Sequence, residues 1–279
     1  MAIQFFGQYL LSKGIITAKQ LVDAVEYQES HNLKVGDYAV QKGWIPAEGV
    51  RKITHLQQTK DVKFGEAAVE LGLLTKKQVE ELLTAQKNDH LYLGDALVHK
   101  GYASKEAIDK ALAGFKEEQK AFAPGKIDIP SEVPLPKLNA AFFDLTQKLL
   151  LRMGGVEAKL GAGKVVSGKL PTPGIVAQVG FSGGFHTNYI VCVPDGIARK
   201  MAKHMLDLKN PSAEELDDVV KEFANVVCGN ILARLAQEGK QAEIAPPERL
   251  GASTDLGRDK ALVFPVVTPD GELHVAVIF

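Results

Sequence analysis

Cysteine is nearly absent: Cys192 and Cys228 are the two in 279 residues, each set inside an apolar run, YIVCVP and ANVVCGN. That scarcity excludes a disulfide framework or a cysteine metal cluster, and both thiols read as small buried hydrophobes in a reducing compartment. An excess of either charge is also missing. The 33 Lys and Arg stand against 34 Asp and Glu, 16 against 16 up to residue 120 and therefore 17 against 18 beyond it. Sequence-independent binding of nucleic acid calls for a basic excess on one domain, so nucleic acid is not an expected partner. No apolar run reaches the roughly 18 residues of a membrane span. The start MAIQFFGQYLLSKG has neither a charged n-region nor a cleavage site, so no membrane insertion is expected and the chain reads as cytoplasmic. The seven histidines are scattered singly without ligand spacing, so no metal site is expected. The turn GFSGGF at 180–185 lacks the Lys-Ser/Thr of a phosphate-binding loop, which leaves ATP hydrolysis unsupported. His186 after that turn has no nucleophile beside it and reads as surface or packing.

What is present is an ordinary globular composition, 46% hydrophobic and 24% charged, over a length that predicts two domains. The first half repeats itself. FGQYLLSKG from Phe6, VGDYAVQKG from Val35, FGEAAVELG from Phe64 and LGDALVHKG from Leu93 start 29 residues apart. Gly7, Gly36, Gly65 and Gly94 coincide in that register, as do Gly14, Gly43, Gly72 and Gly101. Each unit reads as a short helix ended by the second glycine as a left-handed cap, then a new N-cap and a longer helix. Thr17, Thr75 and Ser104 take the cap positions, and Gln20 and Gln78 complete capping boxes for the two threonines. The longer helices carry apolar faces: Leu21, Ala24, Val25; Val50, Ile53; Val79, Leu82, Leu83; Ile108, Ala111, Leu112. Such pairs cannot bury those faces alone and must stack on each other. The expected first domain, residues 1–120, is an all-α array of four helix pairs.

The 29-residue unit resembles the MshEN-type domain at the N-terminus of type II secretion and pilus-assembly ATPases, which binds cyclic di-GMP through two tandem motifs opening on basic-Leu-Gly and closing on Gln. Lys34-Val35-Gly36 runs to Gln57, a five-residue spacer follows at 58–62, and Lys63-Phe64-Gly65 runs to Gln86. Lys stands at both starts where the family has Arg, and Phe5 and Tyr92 stand there in the outer units. A guanidinium stacks on a guanine and forks two hydrogen bonds, whereas an ammonium is a point charge that still holds a phosphate. The resemblance implies a cyclic di-GMP site at Lys34, Gly36, Gln57, Lys63, Gly65 and Gln86. On the residues alone, the same positions read as glycine caps, core and solvated lysines at helix starts.

Residues 121–137, AFAPGKIDIPSEVPLPK, hold four of the 13 prolines and read as an extended linker. The second half, 138–279, opens on the helix LNAAFFDLTQKLLLRMGG, followed by Gly-punctuated strands around VEAKL, KVVSGKL, GIVAQVGFS and TNYIVCV. Helices are expected from Asp195 to Leu206 and after Asn210-Pro211-Ser212, with closing strands near ALVFPVV and LHVAVIF. This is an α+β pattern, long helices on a mainly antiparallel sheet.

On the last helix, at 100° per residue, Leu216, Val219, Val220, Phe223, Val226, Val227 and Ile231 form one wide apolar stripe. Asp218, Glu222, Asn225 and Gly229 fall opposite. Glu222 and Asn225, three apart, project side by side, and Gly229 leaves bare backbone for a close approach. Asn230 falls on the apolar side and is expected to satisfy buried backbone. By helix physics alone, Glu222 and Asn225 are an ordinary solvated face.

The run Asp218-x3-Glu222-x2-Asn225, then Gly229-Asn230, then Ile244-Ala245-Pro246-Pro247 and Gly251, resembles the CheX and CheC family of chemotaxis phosphatases. Asn139, the GFSGGF turn and Pro194-Asp195-Gly196 extend the resemblance. One Glu-x-x-Asn pair is present, as in CheX, where CheC has two. The resemblance implies removal of the phosphoryl group from the aspartyl phosphate of a response regulator with a CheY-like receiver domain. By that likeness Asn225 orients the attacking water, Glu222 pairs with the regulator's Lys, and Asp218 and Gly229 support the contact. No cofactor is bound by the chain itself, Mg²⁺ comes with the regulator, and CheX-type members imply a homodimer. The alternative is a noncatalytic adaptor that binds a receiver domain, with the first half as a cyclic di-GMP receptor or docking module.

Overall fold

A computed structural model describes residues 3–120, 127–184 and 186–279. The first part of the expected linker, 121–126, and Phe185 of the Gly-rich turn lie outside the described residues. The chain divides into two compact units, Met1–Ala123 and Pro124–Phe279.

The first unit is helical: α1 (Phe6–Ser12), α2 (Ala18–His31), α3 (Val35–Gln41), α4 (Ala47–Thr59), α5 (Phe64–Glu70), α6 (Lys76–Asp89), α7 (Leu93–His99) and α8 (Lys105–Gln119). Short helices end where Gly14, Gly43, Gly72 and Gly101 adopt positive φ, between +66° and +71°. The hydroxyls of Thr17, Thr75 and Ser104 accept the backbone N–H of Gln20, Gln78 and Ala107, satisfying N-terminal donors that cost about 1 kcal/mol each when left uncapped. Pro46 takes the same place before α4 and offers no side-chain acceptor.

The other four glycines serve packing. A Cβ at Gly7, Gly36, Gly65 or Gly94 would lie 2.8, 2.9, 2.4 or 2.7 Å from Leu21, Val50, Val79 or Ile108, so each short helix crosses the long helix after it through a glycine. Two separate cores result. Tyr9, Leu10 and Ala24 pack with Ala96, Leu97 and Ile108, and Tyr38, Ala39 and Ile53 pack with Ala67, Ala68 and Leu82. Within each core the contact is reciprocal: α1 meets α8 while α2 meets α7, and α3 meets α6 while α4 meets α5. This is the isologous pattern of a two-fold dimer rather than a linear stack. Of the expected apolar face, Leu83 is 49% exposed, because α6 directs Leu82 inward instead.

In the second unit α9 (Pro136–Arg152), α10 (Asp195–Leu206) and α11 (Ala213–Gln237) accompany β1 (Lys159–Leu160), β2 (Lys164–Pro171), β3 (Ile175–Gly183), β4 (Thr187–Val193), β5 (Ala242–Ile244), β6 (Glu248–Arg249), β7 (Ser253–Thr268) and β8 (Gly271–Ile278). The sheet runs β1-β7-β8-β4-β3-β5, with β2 also on β7 and β6 on β3, and every pairing is antiparallel. VEAKL supplies two strand residues, and the strand around ALVFPVV begins at Ser253, well before the apolar run.

One face of the sheet carries Val179, Tyr189, Val191, Val275 and Val277 against Phe142, Leu149, Ile197, Phe223 and Val227 of the helices. On the other face, Leu170 of β2 and Leu256 in the first part of β7 cluster with Val176, Ile190, Cys192 and Ala276. Burial pushes the Cys192 thiol up to about 12 and raises Cys228 as well, so both behave as apolar side chains. The later part of the expected linker belongs to this unit. Val133 is buried in its helix-side core and Ile127 and Ile129 pack against it, because alternate apolar residues between the prolines find a surface there.

Gly65→Ala is expected to destabilise the first unit by about 1–3 kcal/mol through overpacking against Val79, and Val79→Ala in the same chain to recover part of that loss. Urea unfolding followed by far-ultraviolet circular dichroism measures both.

Candidate functional site

α11 is defined at both ends by its own sequence. Ser212 Oγ accepts the Glu215 N–H at 3.2 Å while Glu215 Oε2 accepts the Ser212 N–H at 2.7 Å, a closed capping box. The acidic first turn, Glu214 and Glu215, complements the helix dipole, and Gly239 at φ +72° follows the C-cap. Between these ends Leu216, Val219, Val220, Phe223, Val226, Val227 and Ile231 are all buried against the sheet and the flanking helices. Burying each such side chain is worth about 1.5–3 kcal/mol, and the stripe as a whole fixes the rotation of the helix.

That rotation presents Asp218, Glu222, Asn225 and Gly229 outward. Asp218 and Glu222 are exposed and Asn225 is half-buried. Among the described residues, neither Glu222 nor Asn225 has a hydrogen-bond or ion-pair partner within the chain. A Cβ added at Gly229 would meet no atom within 4 Å. Nothing inside the protein demands a glycine there, although glycine within a helix costs about 1 kcal/mol relative to alanine. Asn230, on the buried side, donates from Nδ2 to the Val226 carbonyl at 2.8 Å, as its helical angle suggests.

A residue pair missed by sequence reasoning borders this face. Asp217 is 7% exposed, its Oδ2 lies 2.5 Å from Lys221 Nζ, and Arg249 Nε from β6 approaches its Oδ1 at 3.4 Å. The Asp217 carboxylate raises the Lys221 ammonium above its ordinary value. The i,i+4 spacing of Asp217 and Lys221 is readable in the sequence, but neither the burial nor the second ion pair is, since Arg249 arrives from another element.

The remaining positions of the resemblance are structural supports. Asn139 is buried and donates from Nδ2 to the carbonyl of Pro134 at 2.7 Å, steadying the start of α9, where Leu135 holds φ +49°. Ala245 N–H donates to the Gly180 carbonyl at 2.9 Å, which ties the Ile244–Pro247 segment to the edge of β3. Pro194 occupies the N-cap position of α10 without a side-chain cap bond, and His186 is exposed.

In the first unit the expected nucleotide residues are regrouped. Gln57 Nε2 donates to the Val62 carbonyl next to Lys63, and Gln86 Nε2 donates to the Leu33 carbonyl next to Lys34, both at 3.1 Å. The sequence motif joins Lys34 with Gln57 and Lys63 with Gln86; the reciprocal core instead sets Gln86 beside Lys34 and Gln57 beside Lys63. Gln28, 29 residues before Gln57, makes the same kind of bond to the Leu91 carbonyl at 2.9 Å. These glutamines therefore pin the chain entering a short helix. Gly36 and Gly65 sit at the helix crossings, and Lys34 and Lys63 are exposed N-cap residues.

The second unit is thus an α+β domain in which one helix, packed on an antiparallel sheet, displays a carboxylate and a carboxamide that have no partner among the described residues. The family model for chemotaxis phosphatase CheX matches residues 175–260, a span from β3 into β7 that includes all of α11. Residues 175–260 accordingly carry a CheX-like domain. Comparison with curated proteins returns no match. Among solved structures, the chain is similar to a chemotaxis protein CheX from Desulfovibrio desulfuricans, at 22% identity over 50% of this chain and 97% of that one, with a TM-score of 0.45. It is also similar to chemotaxis protein CheX from Vibrio vulnificus, at 18% identity over 50% and 97%, TM-score 0.46. A third is the CheX-CheY-BeF3-Mg complex from Borrelia burgdorferi, at 22% identity over 50% and 96%, TM-score 0.42.

Gly229→Ala is expected to stabilise the second unit by about 0.5–1 kcal/mol, since the methyl enters open space and the unfolded chain loses freedom. A rise in the urea midpoint of the full chain checks it, and a fall would show that an unrecognised contact fills the position.

Proposed function

We propose that this chain is a phosphatase for the aspartyl phosphate of a CheY-like receiver domain, with Asn225 and Glu222 as its catalytic residues. The observation that carries the reading is the state of these two side chains: adjacent on a rigid helix, outward-facing, and without a partner of their own, inside the segment that matches the CheX family. The phosphoryl group, its Mg²⁺ and a neutralising lysine all belong to the regulator, so the reaction lacks only a water held in line with the bond to be broken. A carboxamide accepts one hydrogen bond and donates another without titrating, which suits Asn225 to orient that water. The water oxygen bonds to phosphorus, the phosphorus–oxygen bond to the aspartyl group breaks, and inorganic phosphate leaves with the water's protons. Glu222 takes the regulator's lysine, Asp218 adds a second carboxylate one turn away, and Gly229 lets the partner's backbone come close.

The test is decay of phosphate on a CheY-like receiver domain with and without the purified chain. Asn225→Ala is expected to return decay to the receiver's own rate while binding of the receiver persists. Undiminished acceleration by the variant would remove Asn225 from the mechanism. Binding by wild type without acceleration would make the chain an adaptor.

For the first unit we propose an MshEN-like role, docking a partner or sensing cyclic di-GMP. Its support is the pair of exposed lysines, Lys34 and Lys63, at the starts of two short helices whose entering chain Gln86 and Gln57 pin in the same way. Calorimetric titration with cyclic di-GMP at about 50 μM protein is expected to give heat that Lys34→Ala and Lys63→Ala each diminish. Absence of heat from wild type would leave docking as the role.

A further inference from the structure

Lys221 lies on one stripe of α11 between Asp217, one turn before it, and Asn225, one turn after it. A lysine so placed reaches its neighbour at either i−4 or i+4. In this structure it is committed: Nζ lies 2.5 Å from Asp217 Oδ2 and 4.0 Å from Asp218 Oδ1, while Asn225 has no hydrogen-bond partner among the described residues. The carboxylate that holds it is itself fixed, with 10% of its side chain exposed and Arg249 at 3.4 Å on its other oxygen. Asp217 Oδ1 accepts no hydrogen bond, so the ion pairs are what compensate its burial.

The alternative position of the lysine bears directly on the chemistry. An ammonium resting on Asn225 would take the carboxamide oxygen that must accept from water. It would also put beside Glu222 the same cationic group that Glu222 is to receive from the regulator. We propose that Asp217 is a positioning residue of the Glu222–Asn225 site: its buried carboxylate draws the Lys221 ammonium back along the helix and keeps Asn225 open. The inference rests on the phosphatase reading above and adds to it a residue that touches neither substrate nor water.

The experiment compares receiver-phosphate decay for the full-length wild type, Asp217→Asn, Lys221→Met, the double variant and Asn225→Ala. Asp217→Asn keeps the side-chain shape while discharging it, and is expected to slow catalysed decay about tenfold, the scale of a misplaced charge-assisted hydrogen bond. Lys221→Met is expected to stay within about twofold of wild type, and the double variant to recover to within about threefold. Recovery is the decisive reading, because a purely structural loss at Asp217 would persist in the double variant and deepen its fall in unfolding temperature. A double variant as slow as Asp217→Asn, an unaffected Asp217→Asn, or a slow Lys221→Met each overturns the proposal. An unaffected Asn225→Ala overturns the phosphatase reading instead, so the two failures are distinguishable.

Discussion

The apolar stripe of α11 is the constraint on which the second unit depends. Seven large side chains on one side of a 25-residue helix leave it a single orientation on the sheet, with Phe223 and Val227 set among Val179, Tyr189 and Val191. Because successive residues turn by 100°, fixing that side fixes the other, and Asp218, Glu222, Asn225 and Gly229 are aimed by residues buried in the core. The precision of the outward face is therefore inherited from packing. A cavity created beneath Phe223 would disturb the relation of Glu222 to Asn225 as surely as a change at the surface, since interiors are close-packed and transmit strain.

The sheet in turn depends on covering both of its faces. Helices cover one. The second is covered by the chain's own strands, where β2 and the early part of β7 bring Leu170 and Leu256 over Val176, Ile190 and Cys192. This arrangement explains why β7 is 16 residues long when its apolar run is much shorter: from Ser253 to Asp255 its strand partner is β2, pairing toward β8 begins where Lys260 exchanges hydrogen bonds with Phe279, and the early part contributes cover. A register irregularity between Ser167 and Lys169, with Gly168 and Gly257 at positive φ, lets the two-stranded segment bend there.

Local chemistry was legible in the sequence and non-local geometry was not. Thr17, Thr75 and Ser104 announce helix starts, and Gly14, Gly43, Gly72 and Gly101 announce helix ends, because each acts within one turn of its own backbone. The same glycine periodicity says nothing about which helix pair meets which. The reciprocal contact of the first pair with the fourth depends on how surfaces fit across about 90 residues of chain, and that of the second with the third moves Gln86 to Lys34 rather than to its own motif. The α11 face was readable for the same reason as the caps, one helix obeying one angle. Asp217 was not, because at the border of the two faces its burial and its ion pair with Arg249 of β6 depend on how α11 packs against other elements. Val133 was hidden by the prolines around it, which mark extended chain without saying whether that chain lies on a surface.

The shape of the α11 face also narrows the kind of substrate that fits the proposed reading. A cavity of about 120 Å³ does exist in this unit, but Leu170, Cys192 and Val263 line it on the far side of the sheet. Glu222 and Asn225 instead stand on the outward face of α11, Glu222 exposed and Asn225 half-buried, whereas a small-molecule site usually encloses most of its ligand. Such a face works when the substrate supplies the concavity. A folded partner that carries its own phosphoryl group, metal and lysine in a cleft needs from this chain a carboxamide that enters it, a carboxylate at its rim and no side chain at the position where the two backbones meet. Asn225, Glu222 and Gly229 provide those three things on successive turns. On the proposed reading the helix is the inserted part and the phosphorylated domain the pocket, and recognition then lies in the fit between two folded surfaces rather than in any site that either one holds alone.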